Sequence, residues 1–378
     1  MKKLGLYVHI PFCESKCYYC NFVSFCSNND VKIQYVKSLL NEIKLQKENF
    51  KEYVVDTIFI GGGTPSCLPS GEILKILTLI RQSFLVADDC EITVEANPNS
   101  ITKEFVEELI KSKVTRISIG LQTSNNKLLK EINRIHSKED FVNALNIIKS
   151  YNFSNINVDL LLGLPNQTLQ NVKNSLDLLL ENGINHISCY GLIVEEGTKM
   201  CELINKKCLT LPTEEQSNQM YEFVVNYLKK HKILRYEVSN FAKKGYECKH
   251  NLKYWNRDEY LGLGLNSYSF VKGTRFNNES NLTKYIEFYK SSNFVEVKNV
   301  EKVSDSDAVE ETIMLSLRTQ KGLNLAKFKK EFGLDLLQSK SKEIEKLIQL
   351  NLIKVSKNYL KCSSQGFYVL SQVILELI

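Results

Sequence analysis

Leu6-Tyr7-Val8-His9-Ile10-Pro11-Phe12-Cys13-Glu14-Ser15-Lys16-Cys17-Tyr18-Tyr19-Cys20 decides how this chain is read. Leu6 to Ile10 is a short β-type run, and three cysteines follow it as Cys13-x3-Cys17-x2-Cys20. A 4Fe-4S cube has four irons and is ordinarily held by four thiolates, so three cysteines leave one iron open. An open iron is a Lewis acid, and the amino and carboxylate groups of methionine, as carried by S-adenosylmethionine, can chelate it. An electron from such a cluster cleaves the sulfonium C–S bond and leaves a 5'-deoxyadenosyl radical. Two other readings of the cysteines stand beside this one. A structural zinc would need a fourth ligand, and Cys26 and His9 lack knuckle spacing. A redox dithiol would place Cys17-x2-Cys20 at a helix start in a thioredoxin-like order, which is not found here.

Outward from this stretch the pattern repeats. Six β-type runs, Leu6 to Ile10, Thr57 to Ile60, Glu91 to Glu95, Arg116 to Ile119, Asn157 to Leu162 and His186 to Leu192, alternate with helical patterns over Val31 to Gln46, Gly71 to Phe84, Thr102 to Lys111, Lys138 to Ser150 and Thr168 to Glu181. Strands separated by single helices pair in parallel through right-handed crossovers, so the class is α/β and the architecture a partial (βα)6 barrel. After about residue 300 the pattern turns to helices, Asp305 to Leu317 and Ser341 to Gln349, and then to a hairpin around Lys357-Asn358, a small winged-helix-like appendage. The expected division is 1–235 for the barrel, 236–300 for a segment completing it, and 301–378 for the appendage.

Residues with chemical potential follow the strands: the cysteines, then Gly61-Gly62-Gly63-Thr64-Pro65, then Glu95-Ala96-Asn97-Pro98, then Gln122. Parallel α/β folds gather the carboxyl ends of their strands at one rim, which brings these groups to a shared mouth. The glycine run lets backbone approach a ligand and offers it N–H and C=O groups. Glu95 suits ribose hydroxyls or an ammonium, Gln122 a nucleoside, and Arg134 a carboxylate in bidentate fashion. Asp159, alone in the apolar run Asn157 to Pro165, needs a partner, either in a site or in the core.

The chain resembles the oxygen-independent coproporphyrinogen III oxidase family of radical-SAM proteins along nearly its whole length. The resemblance is carried by His9-Ile10-Pro11-Phe12-Cys13, Gly61 to Pro65, Glu95 to Pro98, Arg116 to Gln122, Asn133-Arg134-Ile135-His136, Val158 to Pro165 and Tyr236 to Phe241. It implies a 4Fe-4S cluster on Cys13, Cys17 and Cys20, flanked by Tyr19. It further implies S-adenosylmethionine contacts at Tyr7, Gly62, Gly63, Thr64, Glu95, Gln122, Arg134, Asp159 and Gly191. True oxidases of this family carry an extension before the first strand and a further cysteine two positions after the last ligand, where this chain has Phe22. His250-Asn251-Leu252-Lys253-Tyr254-Trp255 is similar instead to a signature of the family's heme-chaperone branch, whose members bind heme and pass it to apo-proteins such as respiratory cytochromes. His250 offers an imidazole to iron beside two aromatic faces, or else caps a turn while Tyr254 and Trp255 pack. Asn21 replaces an Asp common in the family, and Tyr268 stands where chaperones usually show His, a residue type that also ligates ferric heme. The expected function is heme carriage, with radical decarboxylation of coproporphyrinogen III, or another porphyrin- or heme-acting radical reaction, as the enzymatic alternative. An electron donor such as flavodoxin or ferredoxin and peripheral membrane contact belong to the same expectation.

Composition narrows the rest. The 378 residues are 43% hydrophobic and 24% charged, ordinary for a globular protein, and contain no uninterrupted apolar run that spans a bilayer. Met1 to Ile10 faintly mimics a signal peptide, but Pro11 and cysteines follow where a cleavage site would stand. The net charge of +6 is spread as interleaved Lys and Glu, which does not indicate nucleic acid. Eleven cysteines, an odd and scattered set, read as reduced thiols in the cytoplasm.

Overall fold

The computed structural model describes residues 1–378. Its strands are β1 (Lys2–Ile10), β2 (Tyr53–Gly62), β3 (Leu85–Ala96), β4 (Arg116–Gln122), β5 (Ile156–Leu162), β6 (His186–Gly191), β7 (Leu234–Arg235), β8 (Asn240–Ala242), β9 (Tyr260–Leu263), β10 (Tyr268–Val271), β11 (Thr274–Asn277), β12 (Lys298–Lys302), β13 (Leu323–Asn324), β14 (Ile353–Ser356) and β15 (Tyr359–Cys362). β1 to β6 lie in sequence order, each parallel to the next. The helices between them start where side-chain caps allow, as at Asn28, Thr102, Ser137 and Thr168. The six predicted runs are these six strands, and the partial (βα)6 barrel is the observed architecture.

A two-residue period sets what each face of the sheet does. Leu4, Leu6, Val8 and Ile10 of β1, with Ile58 and Ile60 of β2 and Ile117 and Ile119 of β4, are buried within the large apolar core that also takes in the covering helices. The alternate positions point into the barrel and are polar or aromatic: Tyr7 and His9, Thr57, Glu91 and Glu95, Arg116 and Ser118, Asn157 and Asp159, His186 and Ser188. Apolar burial at about 25 cal/mol per Å² drives the outer layer together, whereas the interior must be satisfied group by group. It largely is. Glu91 accepts from the backbone N–H groups of Lys249 and His250, at 3.1 and 3.0 Å. His186 reaches Asn157 Oδ1 at 2.6 Å and the Tyr236 hydroxyl at 2.8 Å. The Arg116 guanidinium, 2% exposed, lies 3.3 Å from His186 Nδ1.

The sheet continues beyond the six predicted strands. β9 pairs parallel with β1, and β10 to β12 follow antiparallel; at the other edge β8 pairs antiparallel with β6, and β7 with β8. The helix Lys249–Trp255 plugs the barrel floor, at the opposite end from the cysteines. The C-terminal residues form a three-stranded sheet, β13-β15-β14, packed with helices around a separate 14-residue core. This unit closes the seam between the two sheet edges. Gln320 N–H donates to Tyr236 O on one side, while Glu311 pairs with Arg257 and Arg275 on the other. It does not cover the mouth.

One buried carboxylate ties the sheet extension to the first helix. Glu42 is fully buried and accepts from the Tyr285 hydroxyl at 2.5 Å, Asn278 Nδ2 at 2.6 Å and Gly264 N–H at 2.8 Å. Burial pushes its pKa from 4.5 up to about 7. The folded chain therefore keeps a proton that the unfolded chain releases between these values, and the stability this group contributes at low pH is lost as pH rises through about 7. In urea titrations, the stability of wild type relative to Glu42→Gln should fall by roughly 3 kcal/mol from pH 4.5 to pH 7, at about 1.4 kcal/mol per pH unit. A pH-independent difference would contradict this assignment.

Candidate cluster and nucleotide site

β1 ends at Ile10, and the chain then loops across the mouth. Phe25 N–H donates to Pro11 O at 2.8 Å and Cys13 N–H to Phe25 O at 3.0 Å, so the cysteine loop closes on itself. It is also stitched to neighbouring elements. Tyr18 N–H meets Ile132 O at 3.1 Å, Asn133 Nδ2 meets Lys16 O at 2.9 Å, and Met200 N–H meets Tyr18 O at 2.8 Å. These bonds hold Cys13, Cys17 and Cys20, all half-buried free thiols, on the wall of one cavity of about 460 Å³.

The same cavity is lined by Tyr19, Gly62, Gly63, Thr64, Glu95, Gln122, Arg134, Asp159 and Gly191. Nearly every residue proposed from the sequence thus converges on the rim of β1 to β6. Tyr7 does not line it: its hydroxyl meets His9 Nδ1 at 2.9 Å, in the layer beneath. The glycine run works differently from expectation. Gly62 N–H donates to Glu95 Oε2 at 3.1 Å, and the next two N–H groups, of Gly63 and Thr64, donate to Ile10 O and Phe12 O at 2.9 and 2.7 Å. A Cβ on Gly63 would sit 2.6 Å from Phe12 O and 2.8 Å from Ile10 O, so backbone packing against the cysteine loop is what requires glycine there. At Gly191, by contrast, a Cβ would meet nothing within 4 Å, leaving that wall open.

Charge in the cavity is incompletely matched. Burial, with Asp159 adding to it, pushes Glu95 up to about 8. Asp159 is likewise raised by burial, and accepts from Asn157 Nδ2 at 2.7 Å. Two half-buried carboxyls that resist ionising favour a ligand bringing positive charge. Arg134 donates to Asn97 Oδ1 and Gly120 O, both at 2.6 Å, and to Cys17 Sγ at 3.4 Å, while its Nε is buried without a partner. Gln122 sits at φ 67° with its Oε1 buried and unpartnered, a strained residue at the mouth. A sulfonium amino acid has the ammonium, carboxylate and sulfonium groups that such a set calls for. The residues present fit the cofactor.

Sequence reading assigned no ligand role to four lining groups. Asn97, Tyr190, Phe22 and Ile193 all line the cavity, and the last two are 63% and 71% exposed at its rim. The period of two flags Tyr190, which follows His186 and Ser188 on the inward face of β6; Asn97 likewise follows Glu95.

The two heme-ligand candidates, His250 and Tyr268, lie apart from this cavity. His250 is 1% exposed on the floor plug, with Nδ1 at 2.9 Å from Thr57 Oγ1 and Nε2 at 2.9 Å from the Tyr254 hydroxyl. Neither ring nitrogen is available to iron, and burial drives its pKa down to about 3. Trp255 turns outward to the C-terminal unit, under the Arg318 guanidinium at 5.9 Å from the ring centroid. Tyr268 is 56% exposed on β10 and lines neither the cavity nor the plug. The His250 to Trp255 segment packs between the barrel and the C-terminal unit.

Known proteins bear on this arrangement. The Radical SAM superfamily matches residues 7–179, and the HemN C-terminal domain matches residues 303–369. The heme chaperone HemW of Lactococcus lactis subsp. lactis is 34% identical over 366 residues, 97% of this chain and 95% of its own. The heme chaperone HemW of Bacillus subtilis is 34% identical, covering 95% of each chain, and that of Haemophilus influenzae 32% identical, covering 98% and 97%. Among solved structures, the coproporphyrinogen III oxidase HemN of Escherichia coli superposes with a TM-score of 0.85 at 21% identity, covering 100% of this chain and 90% of its own, a likeness of fold.

Proposed function

This chain belongs to the HemW family of radical-SAM proteins, and from that premise we propose that it binds heme and delivers it to apo-proteins from a 4Fe-4S, S-adenosylmethionine-binding scaffold. The observation that carries the reading is similarity, along 97% of the chain, to a protein that is a heme chaperone. Radical-SAM membership implies the cluster and S-adenosylmethionine, and the cavity supplies groups suited to both. When bound, the cluster supplies an open iron and a low-potential electron.

The chain's own residues divide the work of binding. Cys13, Cys17 and Cys20 would hold the irons, with Tyr19 covering them. Arg134 would take the carboxylate of S-adenosylmethionine through a guanidinium already anchored at Asn97 and Gly120. Glu95 would take a cationic or ribose group and become a full anion as it does so, while Gln122 and Asp159 would orient the nucleoside. Gly191 leaves room, and Tyr7 supports from below. Residues 1–235 would carry this site, 236–300 complete the barrel, and 301–378 seal it.

Heme-accepting apo-proteins, and a reductant such as flavodoxin or ferredoxin, are the partners this reading requires, at work in the cytoplasm where thiolates stay reduced. No helix is long and apolar enough to cross a membrane, so acceptors held at a membrane would be met by peripheral contact.

The test is anaerobic reconstitution with iron and sulfide, followed by hemin titration across the Soret region. A stoichiometric Soret shift beside the cluster absorbance is expected, and it should persist in His250→Gln. Appreciable turnover of coproporphyrinogen III, or no heme uptake by clustered protein, would overturn the chaperone reading.

A further inference from the structure

We infer that Asn97 is a positioning residue for the cluster, orienting the two side chains that donate hydrogen bonds to its cysteine ligands. This rests on the reading of Cys13 and Cys17 as ligands. Asn97 Oδ1 accepts from Arg134 Nη2 at 2.6 Å, and Arg134 Nη1 lies 3.4 Å from Cys17 Sγ. On the other side Asn97 Nδ2 donates to Thr64 Oγ1 at 3.2 Å, and Thr64 Oγ1 lies 3.5 Å from Cys13 Sγ. One carboxamide thus joins two cysteines through a continuous chain of hydrogen bonds.

The direction of each bond matters. Thr64, 5% exposed, has one hydroxyl proton. Because Asn97 Nδ2 occupies a lone pair of that oxygen, the proton is left to point at Cys13 Sγ. An aspartate at 97 would still accept from Arg134 but could not donate to Thr64. The carboxamide is itself held, since Asn97 N–H donates to Ser66 Oγ at 3.1 Å and Ser66 Oγ meets Ser100 Oγ at 2.5 Å. Hydrogen bonds to cluster sulfurs stabilise the more negative, reduced state and raise the reduction potential, and groups that orient such donors tune it in turn.

Redox titration and electron paramagnetic resonance of the reconstituted full chain test this. Asn97→Ala and Thr64→Val should each retain the cluster, shift its midpoint to a more negative potential and change the reduced spectrum. The double variant should shift less than the sum of the single shifts, because both remove control of the same proton. Should Asn97→Ala fail to fold, the near-isosteric Thr64→Val and Asn97→Asp carry the test, since a carboxylate at 97 would accept the Thr64 hydroxyl proton and draw it away from Cys13. Clustered variants whose potential and spectrum match wild type would overturn the inference by itself. A wild-type chain that takes up no iron or sulfide would overturn the cluster reading, and the inference with it.

Discussion

Cys17→Ala, reconstituted anaerobically, should retain almost no iron or sulfide, lose the visible absorbance of the cluster and bind no S-adenosylmethionine measurably. Three thiolates are the minimum that holds a cube with one iron open, and removal of one leaves only two on the loop. The loop geometry adds to this. Cys20 N–H donates to Cys17 O at 3.2 Å, so the two ligands share a turn, and Arg134 would lose its sulfur acceptor. Controls are available in the exposed thiols Cys26 and Cys208, whose alanine variants should keep full iron and sulfide. Loss of the cluster in Cys208→Ala, or its retention in Cys17→Ala, would remove the cysteine loop from consideration as the binding site.

The second large effect lies beneath the site. Arg116→Met should lower the unfolding free energy by about 3 to 5 kcal/mol, the usual penalty for removing one partner from a buried set of charges. Arg116 is the cation of the barrel interior, between Glu91 below and Glu95 and Asp159 above, and all three carboxyls interact with its charge. Methionine fills much of its volume, so the loss would report charge and not a cavity. Urea unfolding of the wild type and variant at one pH measures it, and a difference below about 1 kcal/mol would show that Glu91 does not depend on Arg116 as its counter-charge. Stability and ligand binding should fall together, since Glu95 and Asp159 line the cavity.

Much of this could be read in the sequence because local pattern and global position coincide there. β1 to β6 are strands of six to twelve residues that alternate with long capped helices, and a parallel sheet leaves little choice about where their carboxyl ends gather. The cysteines, Thr64, Glu95, Gln122 and Arg134 therefore fell on one rim. The packing of the floor plug was not legible because Lys249–Trp255 is a seven-residue helix whose inward face is decided by Glu91 and Thr57, partners far away in the chain. The glycine run was misjudged because its N–H partners, Glu95, Ile10 and Phe12, come from two other segments. β7 to β12 escaped for a related reason: strands of two to five residues carry too little period to announce themselves.

The seam has a consequence for how the chain is made. β1 cannot gain its outer neighbour until Tyr260 to Leu263 have been synthesised, and the gap between the sheet edges waits for Glu311 and Gln320. At roughly 5 to 20 residues per second, the nascent barrel stands open for many seconds, with Arg116 and its carboxyls wet and an unpaired β1 edge exposed. Contacts between residues as far apart as Gly5 and Tyr260 also form slowly. The segment emerging last thus turns a hydrated half-barrel into a dry one, and a ribosome that stops before it releases a chain prone to pairing, edge to edge, with its neighbours.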